Sequence, residues 1–258
     1  MKITIFYIYI EILPSGNPPT TYINASMITL SDCKQRFIAT QAPKEEISFQ
    51  NFWQMILEKK VKVLVMITAL QEKNKKKADQ YWPESETGAL YIGGGITLEH
   101  KSTSYQGTFY HRSDCTLLWN LLALFFFLRV IAVKRPNKPS VEVSQLQTVQ
   151  WGNLTAPDDT NIIRDLVHKA MELNTAEKDP ILVHCSAGVG RTGTFIAVFK
   201  LVKDYSNSRV RTLDCKKTVL EMRKCRMKMV QKKEQYVYIF KCLREEVKTE
   251  EGEYYQDL

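Results

Sequence analysis

Between residues 181 and 195 the chain reads ILVHCSAGVGRTGTF, and this stretch constrains the fold more than any other. Ile181–His184 is a short apolar run that reads as a buried strand. A glycine-rich loop follows, and Thr194–Tyr205 then reads as a mostly apolar helix, hence central and covered. Such a loop turns successive backbone N–H groups into one concavity at the positive end of a helix, which suits an anion. Cys185 opens the loop and Arg191 closes it. A thiol among N–H dipoles and a guanidinium loses its proton near neutral pH. The planar fork of Arg191 matches two oxygens of a phosphate group. Gly188 and Gly190 let the backbone approach a ligand with no Cβ in the way. A cysteine six residues before an arginine arises often by chance, and a lone cysteine at a strand end is most often a small buried apolar residue. Here His184, Cys185, Gly188, Arg191, Thr192 and Gly193 all fall in order between a strand and a helix, and that context raises the motif.

The flanking sequence reads as an α/β protein. Phe49, Phe52, Trp53, Ile56 and Leu57 recur at helical spacing within residues 47–58. Val61–Thr68 is a β-branched run expected as a buried strand. Ile96–His100, Gly107–His111, Leu128–Val133 and Val141–Gln150 are expected as further strands, the last two joined by a turn over RPNKPS. Ile163, Leu166, Val167, Ala170 and Leu173 line a helix that starts after Asp158-Asp159-Thr160. Amphipathic helices over about 212–225 and 233–247 close the chain. The expectation is a twisted mixed β-sheet flanked by helices, with no linker dividing it.

Composition narrows the function classes. At 44% hydrophobic and 25% charged residues the chain is globular rather than disordered or fibrous. The net charge is +8, and residues 209–248 alone carry thirteen Lys and Arg against five Asp and Glu. That excess attracts anions, but no aromatic interleaving accompanies it, so nucleic acid is not an expected partner. The six cysteines form no CxxC pair, which fits free thiols in a reducing cytoplasm. The histidines His100, His111, His168 and His184 show no ligand spacing, so no structural zinc is expected, and no cofactor is expected either. Two apolar stretches stand apart. Ile3–Leu13 reads as a strand or an incidental leader, and Leu117–Leu128 as a buried or disordered insertion. Arg129 ends the second one well short of the ~18 residues of a membrane span, so no span is expected.

HCSAGVGRTG resembles the active-site loop of the tyrosine-specific protein tyrosine phosphatases. TYINASMI (Thr21–Ile28), FIATQAP (Phe37–Pro43), NFWQMI (Asn51–Ile56), Glu72 through YWP (Tyr81–Pro83), QTVQW (Gln147–Trp151) and MVQKKEQY (Met229–Tyr236) resemble further landmarks of that family, in family order. The resemblance implies the tyrosine phosphatase fold over residues 21–248, with a divergent or truncated segment at 1–20 and a tail at 249–258. It implies hydrolysis of phosphotyrosine in proteins through a phosphocysteine intermediate, without metal. Cys185 is then the nucleophile. Ser186, Ala187, Gly188, Val189, Gly190 and Arg191 supply the backbone cradle, with the Arg191 side chain on the phosphate. Thr192 hydrogen-bonds the departing thiolate. Gln231 and Gln235 match glutamines that place the hydrolytic water. Glu72 matches the partner of the loop arginine, Lys77 its companion, and Arg226 an arginine beneath the loop. His184 and Trp151 support the site.

The sequence departs from the family pattern at two places that bear on activity. The family's mobile loop reads Trp-Pro-Asp, and its aspartate protonates the leaving tyrosine. Here Trp151, Gly152 and Asn153 align with it. An amide gives up no proton at physiological pH, so phosphotyrosine turnover is expected to fall by ~10²–10⁴. The alternative is a catalytically impaired domain that binds phosphotyrosine proteins and shields them. Asp158 and Asp159 lie downstream and read as helix caps rather than replacement acids. The family's phosphotyrosine-recognition loop has no counterpart in Met1–Thr20.

Overall fold

The structure, a computed structural model, describes residues 10–15, 20–84, 88–106, 126–152, 156–157, 159–208 and 213–256. Along the chain come β1 (Glu11–Ser15), β2 (Thr20–Tyr22), β3 (Ala25–Ile28), β4 (Phe37–Thr40), α1 (Glu46–Glu58), β5 (Val63–Ile67), β6 (Gln71–Glu72), β7 (Lys75–Lys76), β8 (Ala89–Tyr91) and β9 (Thr97–Gln106). Then follow β10 (Phe126–Arg135), β11 (Lys138–Thr148), α2 (Asn161–Leu173), β12 (Ile181–His184), α3 (Gly190–Ser208), α4 (Cys215–Cys225) and α5 (Lys233–Gln256). Among the described residues one eight-stranded sheet runs in the order β3-β4-β12-β5-β11-β10-β9-β8. Strands β4, β12, β5 and β11 are mutually parallel, and the outer pairings are antiparallel. This is the mixed sheet flanked by helices that the sequence leads one to expect.

The central strands are apolar throughout because both faces are covered. In β5, Val63, Val65 and Ile67 enter one core, while Leu64 and Met66 enter the other. β12 divides Ile181 and Val183 from Leu182 in the same way, and β4 divides Phe37 and Ala39 from Ile38. The first core takes in Leu166 of α2, Phe195 and Phe199 of α3, Val219 of α4 and Ile239 of α5. The second takes in Phe52, Trp53 and Ile56 of α1. The period-2 alternation carries on past β12 and sends Cys185 into the helical core, while His184 turns the other way, onto Phe52 and Tyr81.

Several boundaries differ from the sequence reading. The RPNKPS turn is shorter than expected, since Arg135 already pairs with Lys138. Asn137 takes φ 57, which an asparagine tolerates, and so a two-residue connection suffices. The end of the apolar stretch at 117–128 is not an insertion. Phe126, Phe127 and Leu128 open β10 and pair with Gln106, Tyr105 and Ser104 of β9, and Phe127 and Leu128 also with Gln147 and Leu146 of β11; residues 117–125 lie outside the described residues. β9 continues to Gln106, whereas the strand expected at 107–111 also lies outside them. α3 begins at Gly190, inside the glycine-rich loop, and α5 runs on to Gln256 through the stretch read as a tail. At the N-terminal side, Ile10 and Ile12 are buried, as a strand reading of that apolar stretch implies.

Candidate active site

The C-terminal ends of β4, β5, β11 and β12 point to one edge of the sheet, the usual crevice of such folds. Residues that are far apart in sequence meet there. β12 delivers Cys185, and the chain then turns through Ser186–Val189 into α3. The turn needs glycine at 188. Its φ is +69, and a Cβ there would lie 2.0 Å from the carbonyl oxygen of Thr40. Gly188→Ala is therefore expected to destabilise the fold by about 3 kcal/mol, from the left-handed backbone and the overlap together. Chemical denaturation of variant and parent checks this, and a loss under about 1 kcal/mol would show that the loop relaxes freely.

The family landmarks named from sequence become the scaffold of this loop. The Ala42 N–H donates to Ser186 O (3.0 Å), and Ser186 Oγ donates to Lys77 O (3.1 Å). Lys77 thus touches the loop through its backbone. Arg226 is buried beneath it, donating to Gly188 O (2.8 Å), Ala187 O (3.2 Å), Asn24 Oδ1 (2.9 Å) and Ser26 Oγ (3.3 Å). Val189 O accepts from both Gly193 N–H and Val230 N–H, tying the loop to the segment before α5.

Arg191 is 2% exposed. Its Nη1 donates to Glu72 Oε1 (2.5 Å) and to Trp151 O (2.6 Å), while its Nη2 is buried with no partner among the described residues. An orphaned guanidinium nitrogen at the floor of a crevice points to an anion. Glu72 Oε1 is shared with the Thr68 hydroxyl (2.9 Å). Burial pushes the Cys185 thiol pKa up, but the Arg191 charge, the Thr192 hydroxyl and N–H, and the Gly188 N–H outweigh it and hold the thiol below its ordinary value. The buried Thr192 hydroxyl favours the thiolate and has no other hydrogen-bond partner among the described residues. A cavity of about 220 Å³ is lined by Cys185, Ser186, Ala187, Gly190, Arg191, Gln231 and Gln235.

The two glutamines are not equivalent. Gln235 is buried, and its Oε1 accepts the N–H groups of Gln231 (3.0 Å) and Lys232 (3.2 Å). The Gln231 side chain is exposed on the rim. Tyr238 of α5 holds both ends of the 151–159 loop: its ring packs on Trp151 (5.3 Å between centroids), and its hydroxyl donates to Asp159 O (2.7 Å). Asp159 Oδ1 accepts the N–H of Asn161, the first residue of α2 (2.7 Å), from the position before its N-cap residue Thr160. Asn153 and Asp158 lie outside the described residues.

Sequence reading singled out no role for Tyr81, Gln145 or Arg129. Tyr81 is fully buried and its hydroxyl meets His184 Nε2 at 2.5 Å. The signal lay in β11, where Gln145 and Gln147 occupy the alternate positions that Val141 and Val143 fill with apolar groups.

Comparisons agree with this geometry. The family model described as Protein-tyrosine phosphatase matches residues 10–245. Receptor-type tyrosine-protein phosphatase alpha of Homo sapiens is 32% identical over 248 residues, which is 92% of this chain and 29% of that protein. Tyrosine-protein phosphatase Lar-like of Caenorhabditis elegans is 32% identical over 227 residues, 87% of this chain and 9% of that protein. The crystal structure of the Trypanosoma cruzi protein tyrosine phosphatase TcPTP1 is similar at a TM-score of 0.72 and 29% identity, covering 86% of this chain and 71% of that one. The chain belongs to the protein tyrosine phosphatase family and has its fold. It spans less than a third of the length of either curated relative.

Proposed function

We propose that this domain hydrolyses phosphotyrosine in proteins through a phosphocysteine on Cys185, using neither metal nor cofactor, at a rate limited by weak leaving-group protonation. The observation that carries the reading is a thiol held below its ordinary pKa beside a buried Arg191 nitrogen, unpartnered among the described residues, on one small cavity. The thiolate attacks phosphorus, and the bond to the tyrosine oxygen breaks with its electron pair leaving on that oxygen. Arg191 Nη2 and the N–H groups of residues 186–191 receive the charge on the equatorial oxygens. Water then attacks phosphorus, and the sulfur leaves as thiolate with Thr192 beside it. Gln231, on the rim with its side chain exposed, is the better placed of the two glutamines to orient that water, because the Gln235 carbonyl is already engaged. Partners are phosphotyrosine-containing proteins. A reducing cytoplasm suits a thiol of this kind. Among the described residues no helix is long and apolar enough to cross a membrane.

Asn153 favours a second reading, a domain that binds phosphotyrosine and protects it. Pre-steady-state kinetics on an aryl phosphate with an acidic phenol separate the two, because such a phenol leaves without a proton. A stoichiometric burst followed by slower turnover is expected, and absence of any burst at saturating substrate would favour the binder. Comparison of phosphotyrosine peptide, phosphothreonine peptide and phosphoinositide tests substrate class in the same assay.

Mild peroxide is expected to inactivate the enzyme and thiol to restore it, since an accessible thiolate oxidises first to the sulfenic level. Vanadate or phosphate bound in the cradle is expected to slow this loss several-fold. Inactivation at an unchanged rate under saturating vanadate would place the sensitive cysteine elsewhere.

A further inference from the structure

Behind the site, on the α1 side of the sheet, lies a buried polar chain that starts at Arg129 of β10. Its guanidinium sits between the rings of Trp82 and Phe127, 4.9 and 4.8 Å from their centroids. Nη1 donates to Gln147 Oε1 (2.7 Å) and, more weakly, to Gln145 Oε1 (3.4 Å). Arginine can only donate, so both amides must turn their oxygens to it and their nitrogens away. Gln145 Nε2 then donates to Tyr81 Oη (3.1 Å), and Gln147 Nε2 to Thr68 O (3.1 Å).

The directions propagate. With its oxygen accepting from Gln145, the Tyr81 hydroxyl gives its own proton to His184 Nε2 at 2.5 Å in preference to Met66 Sδ, a weak acceptor 3.6 Å away. His184 therefore keeps its proton on Nδ1, which donates to Cys185 O (3.1 Å). Burial lowers the His184 pKa to about 4, aided by the Arg191 charge and opposed by the bond to Cys185 O, so the ring is neutral and has a single tautomer to choose. On the other branch Thr68, held through its carbonyl, donates its hydroxyl to the Glu72 oxygen that receives Arg191. We propose that Arg129 is a positioning residue of the active site, acting through Gln145 to fix the donor direction of the chain that ends on Cys185, and through Gln147 to hold the Thr68 backbone whose hydroxyl meets the Glu72 partner of Arg191. The kinetic part rests on Cys185 as the nucleophile; the tautomer part does not.

Gln145→Glu and Gln145→Leu test the direction. Glutamate keeps the shape but accepts only, so it claims the Tyr81 proton and obliges His184 to carry its own on Nε2. Leucine changes the shape but leaves Tyr81 free to donate to His184. The expected result is that the ¹⁵N signals of the His184 ring report protonated Nδ1 in the parent and in Gln145→Leu, and protonated Nε2 in Gln145→Glu. On the activated aryl phosphate, kcat falls ~10-fold in Gln145→Glu with KM nearly unchanged, as a misaligned nucleophile implies, and falls less in Gln145→Leu. A purely structural role gives the opposite order, since leucine disturbs the packing more. An unchanged tautomer in Gln145→Glu, or a changed one with kcat within twofold of the parent, overturns the proposal. Should Gln145→Glu fail to fold, Arg129→Met and Arg129→Lys decide it: a kcat loss in the first that the second recovers supports the proposal, and equal rates in both overturn it. Failure of the tautomer to move leaves the covalent mechanism intact, whereas turnover that survives loss of Cys185 defeats that mechanism and leaves the tautomer result standing.

Discussion

Cys185→Ser is expected to lose turnover by ~10⁴-fold or more while phosphopeptide binding stays within a few-fold of the parent. The two halves of this result come from different parts of the loop. Attack needs a nucleophile that is ionised near neutral pH, and the forces that hold the Cys185 thiol down do not suffice for a serine hydroxyl, whose intrinsic acidity is far weaker. Binding needs the Arg191 fork and the N–H groups, which belong to the backbone and to a side chain fixed by Glu72 and Trp151. Oxygen is also smaller than sulfur, so the substitution adds no clash at a residue packed in the helical core. Turnover kinetics together with calorimetric titration of a phosphotyrosine peptide measure both halves. Appreciable turnover in the serine variant would end the phosphocysteine mechanism, and loss of binding as well would mean that the sulfur itself holds the loop in shape.

Gly152→Pro combined with Asn153→Asp is expected to accelerate phosphotyrosine hydrolysis by up to ~10²–10⁴, with little effect on an aryl phosphate whose phenol is already acidic. The selectivity follows from where the proton goes: tyrosine, with a pKa of ~10, is a poor leaving group until it is protonated. The scaffold for such a loop is in place, since Tyr238 grips Trp151 at one end and Asp159 at the other. Asp159 spends its carboxylate on the Asn161 N–H, a bond that an asparagine Oδ1 also accepts, so Asp159→Asn is expected to leave both the rate and the start of α2 nearly unchanged. The pH profile gives an independent check. Its acidic limb reports ionisation of Cys185 and stays where it was. The new aspartate acts only when protonated, so a basic limb appears and activity declines as pH rises through the pKa of that carboxyl. Should the double variant gain nothing on phosphotyrosine while turning over the activated substrate well, the loop does not close over the site. If Asp159→Asn then abolishes phosphotyrosine turnover in the parent, the acid was Asp159 all along.

How far the sequence could be read depended on whether a residue's task is local. The strand–loop–helix at 181–205 announced itself because its apolar runs, glycines, Cys185 and Arg191 are contiguous. β12 was read to its true ends, and α1 within one residue. The β10–β11 turn was misjudged because Lys138, Pro139 and Ser140 look like loop residues, yet they extend an edge of the hairpin once Asn137 has reversed the chain. Glu72, Lys77 and Arg226 were named only through their distance from recognised strings. Nothing in their own neighbourhoods foretold that Arg226 would hold two loop carbonyls, or that Lys77 would contribute a carbonyl rather than its ammonium. Tyr81, Gln145 and Arg129 stayed hidden for the same reason, since a hydrogen-bond chain joining three separate segments has no periodicity. The two glutamines on an otherwise apolar face of β11 were the one local sign of it.

His184 and Cys185 are consecutive, yet they point to opposite sides of the sheet, one toward α1 and the other toward the four later helices. The proposed nucleophile and the residue that holds its carbonyl are thus lodged in different layers, which meet at this peptide. A species that had assembled one layer and not the other would lack either the sulfur's cradle or the ring behind it. Catalytic competence therefore marks completion of the whole sandwich, and on refolding, activity is expected to return with the last layer to pack and not before.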